Sequence, residues 1–146
     1  MSSDQEIRDF LLFHLQSIME NDIETYHATT AEDLTLYEWW VTPHRIDGLP
    51  FHDFMMTENA NRGAVFGEES DPEEKSNTRL DLANLHIQRY ESTAIASYTM
   101  MISTGLPTGV KVVAHNESRV MIKQAGKWQV VHVHKSPAWS APHTQP

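Results

Sequence analysis

The chain contains no cysteine, which excludes disulfides, thiolate nucleophiles and cysteine-based zinc sites and is compatible with a reducing compartment. Bases are also scarce, 11 Lys and Arg against 20 Asp and Glu, for a net charge of -9. They do not cluster, and a phosphate backbone calls for a concentrated basic surface, so nucleic acid is excluded as a partner. No apolar stretch approaches the roughly 18 residues of a membrane span. The opening Met1-Ser-Ser-Asp-Gln-Glu6 also lacks the basic and apolar regions of a secretion signal. A membrane is therefore no partner either, and the expected location is the cytoplasm. What is present is the composition of a folded domain, 40% hydrophobic and 21% charged over 146 residues with no internal repeat. That fits one domain around one core. Histidine is the surplus, with nine in the chain.

Apolar residues Ile7, Phe10, Leu11, Leu15, Ile18 and Met19 recur at helical spacing and predict an amphipathic helix from Gln5 to Glu20, capped by Ser3 or Asp4. Asn21-Asp22 breaks it before a second helical stretch, Ile23 to Thr29. Leu34 to Trp40 reads as an aromatic-rich strand. Pro50 suits the first turn of a further helix carrying Phe51, Phe54 and Met55 and ending near Asn61-Arg62-Gly63. Glu68 to Glu74 is an acidic loop that lacks the alternating acids and central glycine of a calcium site. Strand-like runs follow at Asn77 to Gln88, Thr93 to Ser103, Val110 to Gln124 and Lys127 to Lys135. Turns at Glu91-Ser92 and Thr104 to Gly109 separate the first three. Helices followed by long antiparallel strands predict an α+β fold, with helices on one face of a curved sheet.

The closing hairpin, Glu117 to Pro137, carries most of the chemistry. Ala125 is a poor first residue for a two-residue turn that needs positive φ twice, so the expected loop is a three-residue one with Gly126 as a bulge. Lys123 then faces Lys127, and Arg119 faces Val131. Alternation puts Arg119, Met121, Gln129, Val131, Val133 and Lys135 on one face and Val120, Ile122, Trp128, Val130, His132 and His134 on the other. Both faces need a cover. The helices supply one, and a second copy of the chain is the simplest source of the other.

Several of these stretches also carry a resemblance. Glu117-Ser-Arg-Val120 and Gly126-Lys-Trp-Gln-Val-Val-His-Val-His-Lys-Ser-Pro137 resemble a Glu-Thr-Arg-Val and Gly-Lys-Trp-Gln…His-Phe-His-Arg-Ser pattern. It belongs to the association, or hub, domain of calcium/calmodulin-dependent protein kinase II. Ile46-Asp-Gly-Leu-Pro-Phe-His-Asp-Phe54, Glu58-Asn59 and Leu34-Thr-Leu-Tyr-Glu38 are similar to other parts of that domain. The resemblance runs over residues 5–137 and leaves 138–146 as an expected flexible tail. It implies the cone-shaped fold named after nuclear transport factor 2, self-assembly into dimer-based closed rings, and a stand-alone hub, since no kinase domain accompanies it. It further implies a cationic pocket for a small carboxylate or other anion, with Arg119, Lys135 and His52 at the family's pocket positions. A further family arginine falls at Thr99.

An arginine within a Val-Met-Ile strand must meet an anionic partner, whether a ligand or an acid such as Glu38 or Glu117. Lys135 either joins it or ends the strand in water. The candidate ligand-binding set is thus Arg119, Lys135, His52, Glu38 and Tyr37. His132 and His134 point the same way and would need a third ligand, His86 or His14, to hold a metal. Imidazoles at a subunit contact are the preferred reading of that pair, and neither a metal nor a cofactor is expected. The competing function is a small-molecule isomerase, dehydratase or cyclase in the same cone, with Glu38 or His52 as base. A third reading is a module that scaffolds a kinase or another protein through the acidic loop or the tail.

Overall fold

The computed structural model describes residues 3–54, 64–65, 68–69 and 78–139. The first helix, α1 (Asp4–Met19), is capped by the Ser3 hydroxyl, which accepts from the Glu6 amide, and its buried stripe is Ile7, Leu11, His14, Leu15, Ser17 and Met19. Asn21 adopts a left-handed φ of 56, which ends the helix within one residue. The Asp22 side chain then caps α2 (Ile23–Thr29) by accepting from the Thr25 amide. Strand β1 (Thr30–Tyr37) follows with no intervening loop, four residues ahead of the expected start at Leu34. Residues 38–42 form a turn in which the Val41 and Thr42 amides donate to the Glu38 carbonyl. Next come the short β2 (Ile46–Asp47) and a helical segment over 49–54. The expected end of that helix near Asn61-Arg62-Gly63 lies outside the described residues. So do most of the acidic loop and residues 140–146 of the tail.

Two short strands, β3 (Ala64–Val65) and β4 (Glu68–Glu69), pair with each other apart from the main sheet. Four long strands then run in succession: β5 (Thr78–Tyr90), β6 (Thr93–Leu106), β7 (Gly109–Gln124) and β8 (Lys127–Pro137). With β1 and β2 they form a six-stranded curved sheet in the order β2-β1-β8-β7-β6-β5. All neighbours are antiparallel except β1 and β8. The predicted turn at Thr104 to Gly109 contracts to Pro107-Thr108, because Thr104, Gly105 and Leu106 continue β6 opposite Lys111, Val110 and Gly109. In β6 the alternation is strict: Ala94, Ala96, Tyr98, Met100 and Ile102 are buried beneath α1, packing with Ile7, Leu11, Leu15, Leu34, Leu36, Met121, Val130 and Val133. The opposite face of the sheet carries Thr35, Tyr37 and His132, which are half-buried, and His134, which is exposed.

The hairpin between β7 and β8 corrects the expected register. Ala125 and Gly126 both take positive φ, 52 and 76, in a two-residue loop, and Gln124 faces Lys127. The match of such a turn to the right-handed strand twist outweighs the cost of a left-handed alanine. The extra residue appears instead as a bulge at Val131: Met121 faces Val130, whereas Val120 faces His132 and Arg119 faces Val133. A one-residue slip exchanges the two faces of a strand. Trp128 and Val130 therefore share the buried face with Met121, contrary to expectation, and Gln129 joins the opposite one. Past the bulge, Val133 and Lys135 are inside and His132 and His134 outside, as expected. Replacing Ala125 with Gly relieves the left-handed strain, and an urea titration should show a gain of about 0.5–1 kcal/mol.

Candidate functional site

Alternation along β7 turns His115, Glu117 and Arg119 to the interior, while β1, which contributes Leu34 and Leu36 to the core, delivers Glu38 one step further on. His14 from α1, Tyr26 from α2, His52 from the helical segment, Tyr98 from β6 and Lys135 from β8 complete a cluster in which no residue is more than 6% exposed. Arg119 Nε donates to Tyr98 Oη at 2.9 Å and to Glu117 Oε1 at 3.2 Å. The Tyr98 hydroxyl passes its own hydrogen to Glu117 Oε1 at 2.6 Å. The other Glu117 oxygen meets His115 Nε2 and lies 4.0 Å from Lys135 Nζ. Lys135 Nζ donates to Glu38 Oε2 at 2.7 Å, and His52 Nε2 lies 3.1 Å from Glu38 Oε1. Tyr26 Oη closes the chain on His52 Nδ1.

These partners fix protons. Arg119 can only donate, so His14 Nε2, at 3.0 Å from Nη1, accepts, and its Nδ1–H points to Thr29 Oγ1 at 2.8 Å. Thr29 in turn donates to the Thr25 carbonyl at 2.9 Å. Burial first, and the Arg119 charge second, hold His14 well below the ordinary imidazole range. For Glu38, burial alone would raise the carboxyl, but the Lys135 ammonium and the His52 contact outweigh it and hold the group far below the usual range. Glu117 behaves likewise, with Arg119, Lys135 and His115 overriding burial. Tyr26 and Tyr98 are pushed up, chiefly by burial. The arrangement thus holds two cations and two carboxylates, each carboxylate in contact with an imidazole.

A family model described as the calcium/calmodulin dependent protein kinase II association domain matches residues 3–139. The chain belongs to that family. The delta subunit of the kinase from Oryctolagus cuniculus is 27% identical over 135 residues, which is 90% of this chain and 23% of that protein. The chain therefore spans about a quarter of the length of that relative. Among solved structures, the hub homology domain from Chlamydamonas reinhardtii superposes with a TM-score of 0.76 at 24% identity, covering 94% of this chain and all (100%) of that one. The association domain of C. elegans CaMKII gives 0.73 at 24% identity, covering 91% and 94%. A nuclear transport factor 2-like protein of unknown function from Pseudomonas putida gives 0.71 at 19%, covering 94% and 88%. The last three share the fold: N-terminal helices on a curved sheet.

In this association domain four of the five expected site residues, Arg119, Lys135, His52 and Glu38, meet in one cluster. Tyr37 does not. It lies on the opposite face of β1, its ring 4.9 Å from that of His134, because Leu36 and Glu38 take the inward positions. Lys135 does not end the strand in water; it is 4% exposed, with Glu38 as its partner and Trp40 stacked 5.0 Å from its ammonium. Thr99 also points outward, donating to Asn116 Oδ1 at 2.7 Å, so the interior position on that strand belongs to Tyr98. His14 lies within the cluster and His132 and His134 on the far face, so the sheet itself separates them.

Reading the sequence missed His14, Tyr26, Tyr98 and His115 as cluster members. His14 had a signal, since it falls on the buried stripe of α1 between Leu11 and Leu15, and Tyr98 had one in the alternation of β6. Nothing local pointed to Tyr26. Because the folded protein keeps His14 neutral, the unfolded chain binds the extra proton, and stability falls as pH drops through about 6.5. Unfolding free energies from urea titration should be lower at pH 5.5 than at 7.5, by at most about 1.4 kcal/mol per pH unit from this group. In His14→Gln that difference should shrink; an unchanged difference would contradict the assignment.

Proposed function

We propose that the chain is a self-assembling hub whose interior cluster binds a small carboxylate or similar anion. The observation that carries the anion site is Arg119 Nη2: among the described residues it is a fully buried guanidinium N–H with no hydrogen-bond partner. Such a donor costs free energy until an acceptor reaches it, and a guanidinium is the group best shaped to take a carboxylate. Lys135 adds a second positive charge, linked to Arg119 through Glu117.

Family membership supports assembly, and so does the outer face of the sheet. There Ile95, Met101, Val120 and Ile122 are only partly buried, and Val112 is 49% exposed. His132, bonded to Thr35 at 2.8 Å, and His134 lie on that same face, where a partner subunit would meet them. Sedimentation at micromolar concentration is expected to give a multiple of 16.7 kDa; a species near 16.7 kDa itself would overturn the assembly. Calorimetric titration with acetate should give measurable binding, weakened about tenfold or more in Arg119→Lys, where a point charge replaces the fork.

The competing reading, an isomerase or dehydratase, has in its favour the hydrogen-bonded chain Tyr26–His52–Glu38. Against it, the ion pair with Lys135 makes Glu38 a weak base, and a general base works best near operating pH. A structural likeness to a putative ketosteroid isomerase from Shewanella frigidimarina, at 15% identity, concerns the fold alone.

A further inference from the structure

We infer that an anion enters this cluster together with a proton, which is taken up at His52. The inference rests on the anion-site reading above and adds what regulates that site. At pH 8, where an ordinary imidazole is neutral, the cluster is balanced: Arg119 and Lys135 against Glu117 and Glu38, all at most 5% exposed. A monoanion placed on Arg119 Nη2 leaves one uncompensated negative charge where solvent cannot reach it, and such a charge is expensive. Neither cation is idle, since Arg119 already serves Glu117 and Lys135 already serves Glu38. The missing positive charge must come from a proton.

Three imidazoles touch the cluster, and their surroundings separate them. His14 Nε2 accepts from Arg119, so a proton there would set two cations face to face. His115 borders Glu117, a carboxylate that already carries both Arg119 and Lys135. His52 borders Glu38, whose only formal cation among the described residues is Lys135. When the anion draws the Lys135 ammonium toward itself, Glu38 keeps a charged partner if His52 becomes an imidazolium. The second nitrogen has an outlet as well. Nδ1 now accepts from Tyr26, and the Tyr26 hydroxyl can rotate to accept from a protonated Nδ1. The groups facing His52 are Glu38 after β1, Tyr26 on α2 and His14 on α1, with Lys135 on β8 sharing the Glu38 carboxylate and Asp53 beside it in the chain already engaged by His27.

The experiment is calorimetric titration of the full chain with acetate and with methanesulfonate, in buffers of differing ionisation enthalpy, from pH 8 to 6. Methanesulfonate stays ionised, so any proton it brings is bound by the protein. The expected result is uptake of about one proton with either anion and affinity rising up to about tenfold per pH unit as the pH falls. Glu38→Gln, which removes one negative charge, should bind at pH 8 more tightly and without uptake, and His52→Gln should bind weakly with a flat pH profile. Zero uptake by the wild-type chain, uptake with acetate alone, or full uptake retained in His52→Gln would overturn the inference while leaving an anion site standing. Absence of binding by both anions even at pH 6 would overturn the anion site and the inference together.

Discussion

Two carboxylates and two cations, closed off from water inside a curved sheet, constrain the rest of this fold. Desolvating any one of them alone would cost several kcal/mol, comparable with the whole stability of a domain of this size. They are tolerable only in mutual contact and with their remaining lone pairs and hydrogens engaged. Elements from across the fold supply the parts: α1 brings the acceptor for Arg119, β6 the tyrosine that joins Arg119 to Glu117, and the turn after β1 the counter-ion for Lys135. Loss of one strand from the sheet would strand a charge on another, so the cluster ties sheet register to helix position. The unfilled Arg119 Nη2 is the exception, and a cluster otherwise so fully paired makes it conspicuous.

The bulge at Val131 is the device that makes this possible. With the two-residue turn at Ala125-Gly126 and no bulge, Arg119 would sit opposite His132, and His132 and His134 would point inward. One extra residue reverses that choice, placing Lys135 within reach of Glu38 and sending the imidazoles to the outer face. The sequence reading reached the same side for Lys135 by assigning the extra residue to Gly126. The side agrees but the pairing does not: the extra residue lies on β8, so Arg119 meets Val133 and not Val131, and Trp128 and Val130, between the loop and the bulge, fall on the face opposite to the expected one.

The two faces of the sheet divide the roles. The inner one packs apolar side chains beneath α1 and surrounds the ionic cluster with them, so its charges interact strongly. The outer one mixes partly buried aliphatics with Thr35, Tyr37, His132 and His134, the texture of a contact surface rather than of a core. The pair Trp39 and Trp40 sits beside His115 and Lys135, with Trp39 42% exposed, and links the cluster to the molecular surface.

Periodicity and turn residues were enough to determine the α+β class, both N-terminal helices, the four long strands and the presence of a buried cation at Arg119, because these depend on neighbours within a few positions along the chain. The partnerships were decided only by tertiary structure. His14 reads locally as a core residue, and Tyr98 and Tyr26 as ordinary aromatics. Each acquires its role from a group about 20 to 100 residues away, Arg119 for His14 and Tyr98, and His52 for Tyr26. Tyr37 and Thr99, read as pocket positions, were turned outward by alternation counted from Glu38 and Tyr98. Local chemistry specifies that a charge must be met; the strand register specifies which residue meets it.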